Sequence, residues 1–303
     1  MTERKKAVRK AASAAAEKSA PVKTPMEIGV LSILRKGTNP FKTIAEYGVK
    51  TAQVQCWDMS ILTEKFARET KRQMDDAGVR LAAYWAGYTG RIVWNSYEGP
   101  CTCGLVPRDL RKQRIDDLKR GADFAKMIGA PAIITHCGFI PEDPRDELYP
   151  ETINAIYEVV RYCMSLGLEF WFETGQETPL TLLRALCDVG LGNVGVNLDT
   201  ANLILYGRGN PVDALDVFGP YVRNLHVKDG IFPTSPKSLG QQVPLGEGKA
   251  DFDTIIRKLY ELGFTGELII EREISGPQQA VDIMKGIKYI SSLVKKNAKY
   301  ARK

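Results

Sequence analysis

The chain has 303 residues, 44% apolar and 26% charged, which is ordinary for a soluble globular protein with room for a large core. No stretch approaches the roughly 20 apolar residues of a membrane helix, so no membrane partner is expected. The net charge of +6 sits at the ends: residues 1–25 hold seven Lys or Arg against two Glu, and 285–303 hold seven more with no acid. The body between is mildly acidic, with a net charge of −6, which argues against a groove for nucleic acid.

Residues 1–25 are rich in Lys and Ala, with no aromatic residue or large apolar cluster, and read as a disordered basic extension. Ala11 to Ala16 is too small to form a secretory h-region, and Glu3 and Glu17 speak against a transit peptide. A cytoplasmic location follows as the expectation. From residue 26, apolar runs at 27–33, 51–57, 80–86, 131–136, 168–173, 194–199, 222–227 and 267–272 read as strands. Helical patterns alternate with them at 40–47, 60–77, 107–128, 150–166, 178–189, 211–218, 251–262 and 277–297. Gly48, Gly78, Gly129, Gly167, Gly190 and Gly263 stand where those helices should stop. Eight strand–helix units predict one (β/α)8 TIM barrel over 26–297, with a basic C-terminal end at 298–303.

Two loops are long, 88–106 after strand three and 229–250 after strand seven, and are expected to act as lids or binding loops. Of these, PLGEGKA (244–250) is faintly suggestive of a phosphate site. The six cysteines lack zinc-ribbon spacing and read as reduced thiols.

The chemistry lies at the strand ends. LEFWFE, VGVNLD, VRNLH and ELIIE end in Glu173, Asp199, His226 and Glu271, and parallel barrel strands bring their C-terminal ends to one face. Three carboxylates and one imidazole suit a divalent, oxygen-preferring ion with open positions: Mn²⁺ first, with Mg²⁺, Co²⁺ or Zn²⁺ as alternatives. His136, the chain's only other histidine, also ends a strand and is a candidate base. Trp57, Trp85, Tyr88 and Trp94 are placed to line the mouth for the C–H face of a sugar. Gln176, Glu177 and Lys228 are hydrogen-bonding candidates, with Asp229 expected to orient Lys228.

FETGQETP, VNLDTANLILYG, NLHVKDG, PLGEGKADF and LIIEREISG resemble the xylose isomerase-like TIM-barrel superfamily, most nearly its sugar phosphate isomerase/epimerase group, over residues 26–295. The resemblance implies that Glu173, Asp199, His226 and Glu271 hold one metal. It also implies that Glu173 and Glu271 flank a small-molecule sugar, one removing a proton and the other returning it. Barrels of this kind commonly pair, so a homo-oligomer, dimer or tetramer, is expected. The pattern departs at Asn202, where many relatives carry a histidine that contacts substrate or metal, and after His226, where some carry an arginine. A metal-dependent sugar isomerase or epimerase is therefore the leading expectation. The runner-up is a lyase on keto-sugars, either cleaving 3-keto-glycosides or dehydrating an inosose, with His136 as its base. A catalytically inert sugar-binding barrel is a third reading. An apurinic-site nuclease of the same fold needs a trinuclear, histidine-rich zinc cluster that two histidines cannot build.

Overall fold

The computed structural model describes residues 26–301. The expected extension at 1–25, and the last two residues of the expected basic end, lie outside the described residues. Eight parallel strands form a closed barrel: β1 (Ile28–Ile33), β2 (Thr51–Cys56), β3 (Arg80–Ala86), β4 (Ala132–Thr135), β5 (Glu169–Glu173), β6 (Val194–Asp199), β7 (Val222–Val227) and β10 (Leu268–Ile270). They neighbour one another in that order, and β10 pairs back onto β1. Around them run α1 (Pro40–Glu46), α2 (Glu64–Ala77), α3 (Arg108–Ile128), α4 (Leu148–Ser165), α5 (Pro179–Val189), the short α6 (Asn202–Leu205), α7 (Pro211–Phe218), α8 (Phe252–Leu262) and α9 (Pro277–Asn297). Each expected strand and helix is present to within a few residues.

Local chemistry sets the boundaries. Asn39, Thr63, Thr178, Asn210 and Asp251 each accept a backbone N–H in the first turn of the helix that follows. At the other ends, all six glycines expected as stops have φ between +64° and +79°. Only glycine takes that conformation without a Cβ clash. The helices then bury one stripe. On α8 these are Phe252, Ile255, Ile256 and Leu259, the spacing of one helical face.

Inside the barrel the packing changes character around the wall, with Gln53 of β2 paired to Ala83 of β3. Ala83, Trp85, Ala132, Ile134 and Trp171 form an apolar cluster. Gln53, Asn197 and Asn224 are fully buried polar residues, and Gln53 Nε2 donates to Asn224 Oδ1 at 2.7 Å.

Both long loops differ from simple lids. Residues 229–250 contain a hairpin, β8 (Asp229–Ile231) antiparallel to β9 (Gln241–Val243). The base of the 88–106 loop is pinned by buried Arg114 of α3, which donates to the carbonyls of Thr89, Arg91 and Gly104 at 3.1, 3.0 and 2.7 Å. A fork with five donors can fix three turns of irregular chain at once, which periodicity alone does not reveal. All six cysteines are free thiols. Among the described residues, no helix is long and apolar enough to cross a membrane.

Candidate metal centre

Strands β5, β6 and β7 end in Glu173, Asp199 and His226, and Glu271 follows β10 directly. Asp199 and His226 are register partners across β6 and β7. One ligand atom from each of the four lies within 4.8 Å of the others, and all four side chains are buried.

Each side chain is aimed. The backbone N–H groups of Ala201 and Asn202 donate to Asp199 Oδ1 at 2.8 Å each, which holds the carboxylate and leaves Oδ2 turned to the cluster. Asp199 Oδ2 and Glu271 Oε2 are buried without a hydrogen-bond partner. Such orphaned oxygens are costly unless a cation meets them. His226 Nδ1 faces Glu173 Oε1 at 3.1 Å and Glu271 Oε2 at 3.0 Å, while its Nε2 lies 2.6 Å from Gln53 Oε1. Gln53 Oε1 accepts only, so Nε2 carries the hydrogen and Nδ1 is the atom offered to a ligand. Behind it, Asn224 Oδ1 holds the Gln53 amide, and Glu267 accepts from Asn224 at 3.0 Å. The donor set therefore fits a divalent cation: two unsatisfied oxygens, a third carboxylate and an imidazole with a fixed tautomer.

Electrostatics point the same way. Burial would discharge the His226 ring, but unless a cation is bound the Glu173 and Glu271 carboxylates hold its pKa well above the ordinary value and draw a second proton onto Nδ1, the position a divalent ion would take. Burial would also raise Glu173, yet His226 and His136 hold it down, to about 2. Asp199 goes the other way. Burial drives it up to about 7, although Lys228 opposes the rise. Three carboxylates here exceed what the local cations neutralise, so one of them tends to keep its proton. A divalent charge in the cluster removes that need.

A second tier surrounds the ligands. Trp85 Nε1 donates to Glu173 Oε2, and Asn202 Nδ2 to Glu173 Oε1 at 3.4 Å. His136 Nε2 stands 3.7 Å from Glu173 Oε1, its Nδ1 is buried without a partner, and its ring is packed against Trp85 and Trp94. Lys228 is buried, with Nζ 2.8 Å from Glu273, 3.2 Å from Asn202 Oδ1, 3.5 Å from Asp199 and 3.6 Å from Glu271. Burial would lower its pKa, but the Asp199, Glu271 and Glu273 carboxylates hold it well above the ordinary value. Trp57 stacks at a tilt on Trp85, 4.8 Å between centroids, and its Nε1 donates to Gln55 Oε1 at 3.0 Å. Trp57, Trp85, Trp94, His136, Glu173, Asn202, Lys228 and Glu271 all line one cavity of about 830 Å³.

Three expected roles are displaced. Tyr88 is buried outside the cavity wall: its Oη accepts from Gly104 N at 2.9 Å, and Arg114 lies 4.6 Å above its ring. Gln176 lines a separate hollow of about 250 Å³ with Phe139 and Arg208. Asp229 does not touch Lys228. Its two oxygens accept from the amides of Gly230, Gly246, Gly248 and Ala250 at 2.9 to 3.0 Å. The PLGEGKA amides that resemble a phosphate cradle are thus spent on Asp229, and a side chain at Gly248 would collide with that carboxylate. Sequence reasoning missed Gln53 and Glu273. The available signal for the first was TAQVQCW, where Gln53 and Gln55 share the inward face of an otherwise apolar strand.

The sequence pattern described as "Xylose isomerase-like TIM barrel" matches residues 41–293. The chain belongs to that family. Among solved structures, this xylose isomerase-like barrel is similar to a xylose isomerase domain protein from Planctomyces limnophilus, 33% identical, covering 91% of this chain and 100% of that one, with a TM-score of 0.85. A D-tagatose 3-epimerase-like protein is 20% identical over 90% of this chain and 100% of its own, with a TM-score of 0.71. An uncharacterized protein of Methanocaldococcus jannaschii is 22% identical over 82% of this chain and 84% of its own. Further barrels that share the fold, at 13–17% identity, include D-psicose and L-ribulose 3-epimerases, a 3-keto-D-glucoside 4-epimerase and a magnesium complex.

Proposed function

We propose that this chain is a metal-dependent sugar isomerase or epimerase that abstracts a proton α to a carbonyl. The observation that carries the reading is the convergence of Glu173, Asp199, His226 and Glu271, with two orphaned carboxylate oxygens, at one end of a cavity large enough for a carbohydrate. Sugar epimerases among the solved barrels of this fold support the substrate class. Bound there, Mn²⁺ or a similar divalent ion would supply Lewis acidity to a carbonyl and a neighbouring hydroxyl.

The protein's own groups do the rest. Glu173, held ionised and oriented by Trp85 and Asn202, takes the proton. Glu271, whose Oε2 stands 3.0 Å from His226 Nδ1 and 3.6 Å from Lys228 Nζ, returns a proton to the other face. The Lys228 ammonium, fixed between Asn202 and Glu273, stabilises the oxygen on which negative charge develops. The three tryptophans exclude water from one side and present apolar faces to sugar C–H groups.

A second reading has its own observation. His136, with Nε2 3.7 Å from Glu173 Oε1 and a buried, unpartnered Nδ1, has a free ring nitrogen to serve as base in a keto-sugar lyase. Incubation with ketoses and 3-keto-glycosides in D₂O separates the two. Deuterium uptake with the carbon skeleton and substituents retained is the result expected. Release of a substituent favours the lyase, and no exchange with any carbonyl sugar in the Mn²⁺-loaded protein would refute both.

A further inference from the structure

The cavity does not stop at the metal cluster. Neighbouring helices of the outer ring pack closely against one another all the way round, except α1 and α9, the pair that flanks β1. The cavity continues into that gap, where it is lined by Ile33, Ile44, Tyr47 and Ile283, with Thr43 and Gln279 among the polar groups. β1 shows the consequence: Ile33 is 40% exposed, although it belongs to a barrel strand. One end of this 830 Å³ space is ionic and the other is mixed, apolar below and amide or hydroxyl at the sides. Volumes of that order enclose drug-sized ligands, well beyond one pyranose ring.

We infer that the substrate is a sugar conjugate rather than a free monosaccharide: a keto-sugar at the metal end, joined to a partly apolar aglycone that lies in the cleft between α1 and α9. The inference rests on the proposed proton abstraction and adds the class of molecule that undergoes it. A free ketose would leave the apolar walls of the cleft in water. An aromatic or alkyl aglycone covers Ile33 and Tyr47 and gains the burial of that surface. Binding so far from the reacting carbon also anchors the sugar ring in one pose above the carboxylates, which converts remote contacts into rate.

The test uses the full chain, loaded with Mn²⁺, and two probes that share one sugar: the methyl and the phenyl glycoside of a 3-keto-hexose. Exchange of the α-proton in D₂O is followed for each. The phenyl glycoside should show a kcat/KM higher by about tenfold or more. Thr43→Trp and Gln279→Trp, on the two walls of the cleft, should bring that ratio toward one, with folding checked by circular dichroism. Equal kcat/KM for the two glycosides, or a preference that survives both tryptophans, overturns the cleft assignment while leaving proton abstraction intact. Absence of exchange with either glycoside, while a free ketose exchanges, overturns the conjugate assignment and leaves proton abstraction intact.

Discussion

The two halves of the barrel carry different chemistry at the same depth. Strands β5, β6, β7 and β10 deliver the ionisable ligands, whereas β2, β3 and β4 lead into Trp57, Trp85 and His136, with Trp94 in the loop beyond β3. One half arranges charge and the other arranges shape. They meet at Glu173, which touches His226 on the ionic side and Trp85 and His136 on the aromatic side. A buried carboxylate with both kinds of neighbour is a suitable proton carrier, because charge is tolerated there without being solvated.

The largest effects belong to the ionic half. Asp199→Ala or Glu271→Gln should lower turnover by about a thousandfold or more, because each removes an orphaned oxygen meant for the cation. Circular dichroism should stay native, and EDTA should inactivate the parent protein until Mn²⁺ or Co²⁺ is returned. Full activity after exhaustive chelation would break the comparison at its root. His136→Gln tests the aromatic half. Under the keto-sugar lyase reading it should cost roughly a hundredfold in kcat, the scale of a lost base, with metal affinity unchanged. A parallel loss of metal would instead assign His136 to the ionic half.

How much of this was readable from the chain depends on periodicity. A strand announces itself by an apolar-rich run, and Glu173, Asp199, His226 and Glu271 stand out because each closes one. A glycine after a helical pattern fixes the next boundary in the same way. What stayed hidden was long-range and polar. Nothing local says that Arg114, in the second turn of α3, holds three loop carbonyls, or that Asp229 gathers four amides of a loop up to 21 residues away. Tyr88 and Gln176 failed as cavity residues for a related reason: the chain turns after each strand, and direction past the last strand residue has no period to read.

Gln53 sharpens the comparison from behind the ligands. Its carbonyl sets the His226 tautomer at 2.6 Å, although Gln53 itself stands on β2 in the aromatic half. Gln53→Leu should weaken Mn²⁺ binding, read by calorimetry, by about tenfold to a hundredfold. Unchanged affinity would show that the ring orientation is set by Glu173 and Glu271 alone.

The smallest effect compares two glutamates four residues apart. Glu173, beside His226 and His136, is held near 2, whereas Glu177 is equally buried but lies outside that cluster and is pushed up to about 8, chiefly by burial. Folded Glu177 therefore keeps its proton while the unfolded chain, with an ordinary value of 4.5, loses it. The unfolded state binds fewer protons across that interval, so this stabilising contribution is complete below 4.5 and fades as pH rises toward about 8. Glu177→Gln is neutral at every pH and removes the titration. Its Tm should match the parent at pH 4.5 and exceed it at pH 8 by at least roughly 2 °C. A constant difference between the two proteins across that range would mean that Glu177 is charged in the fold, and that burial without a cation does not suffice to keep a carboxyl neutral on this side of the barrel.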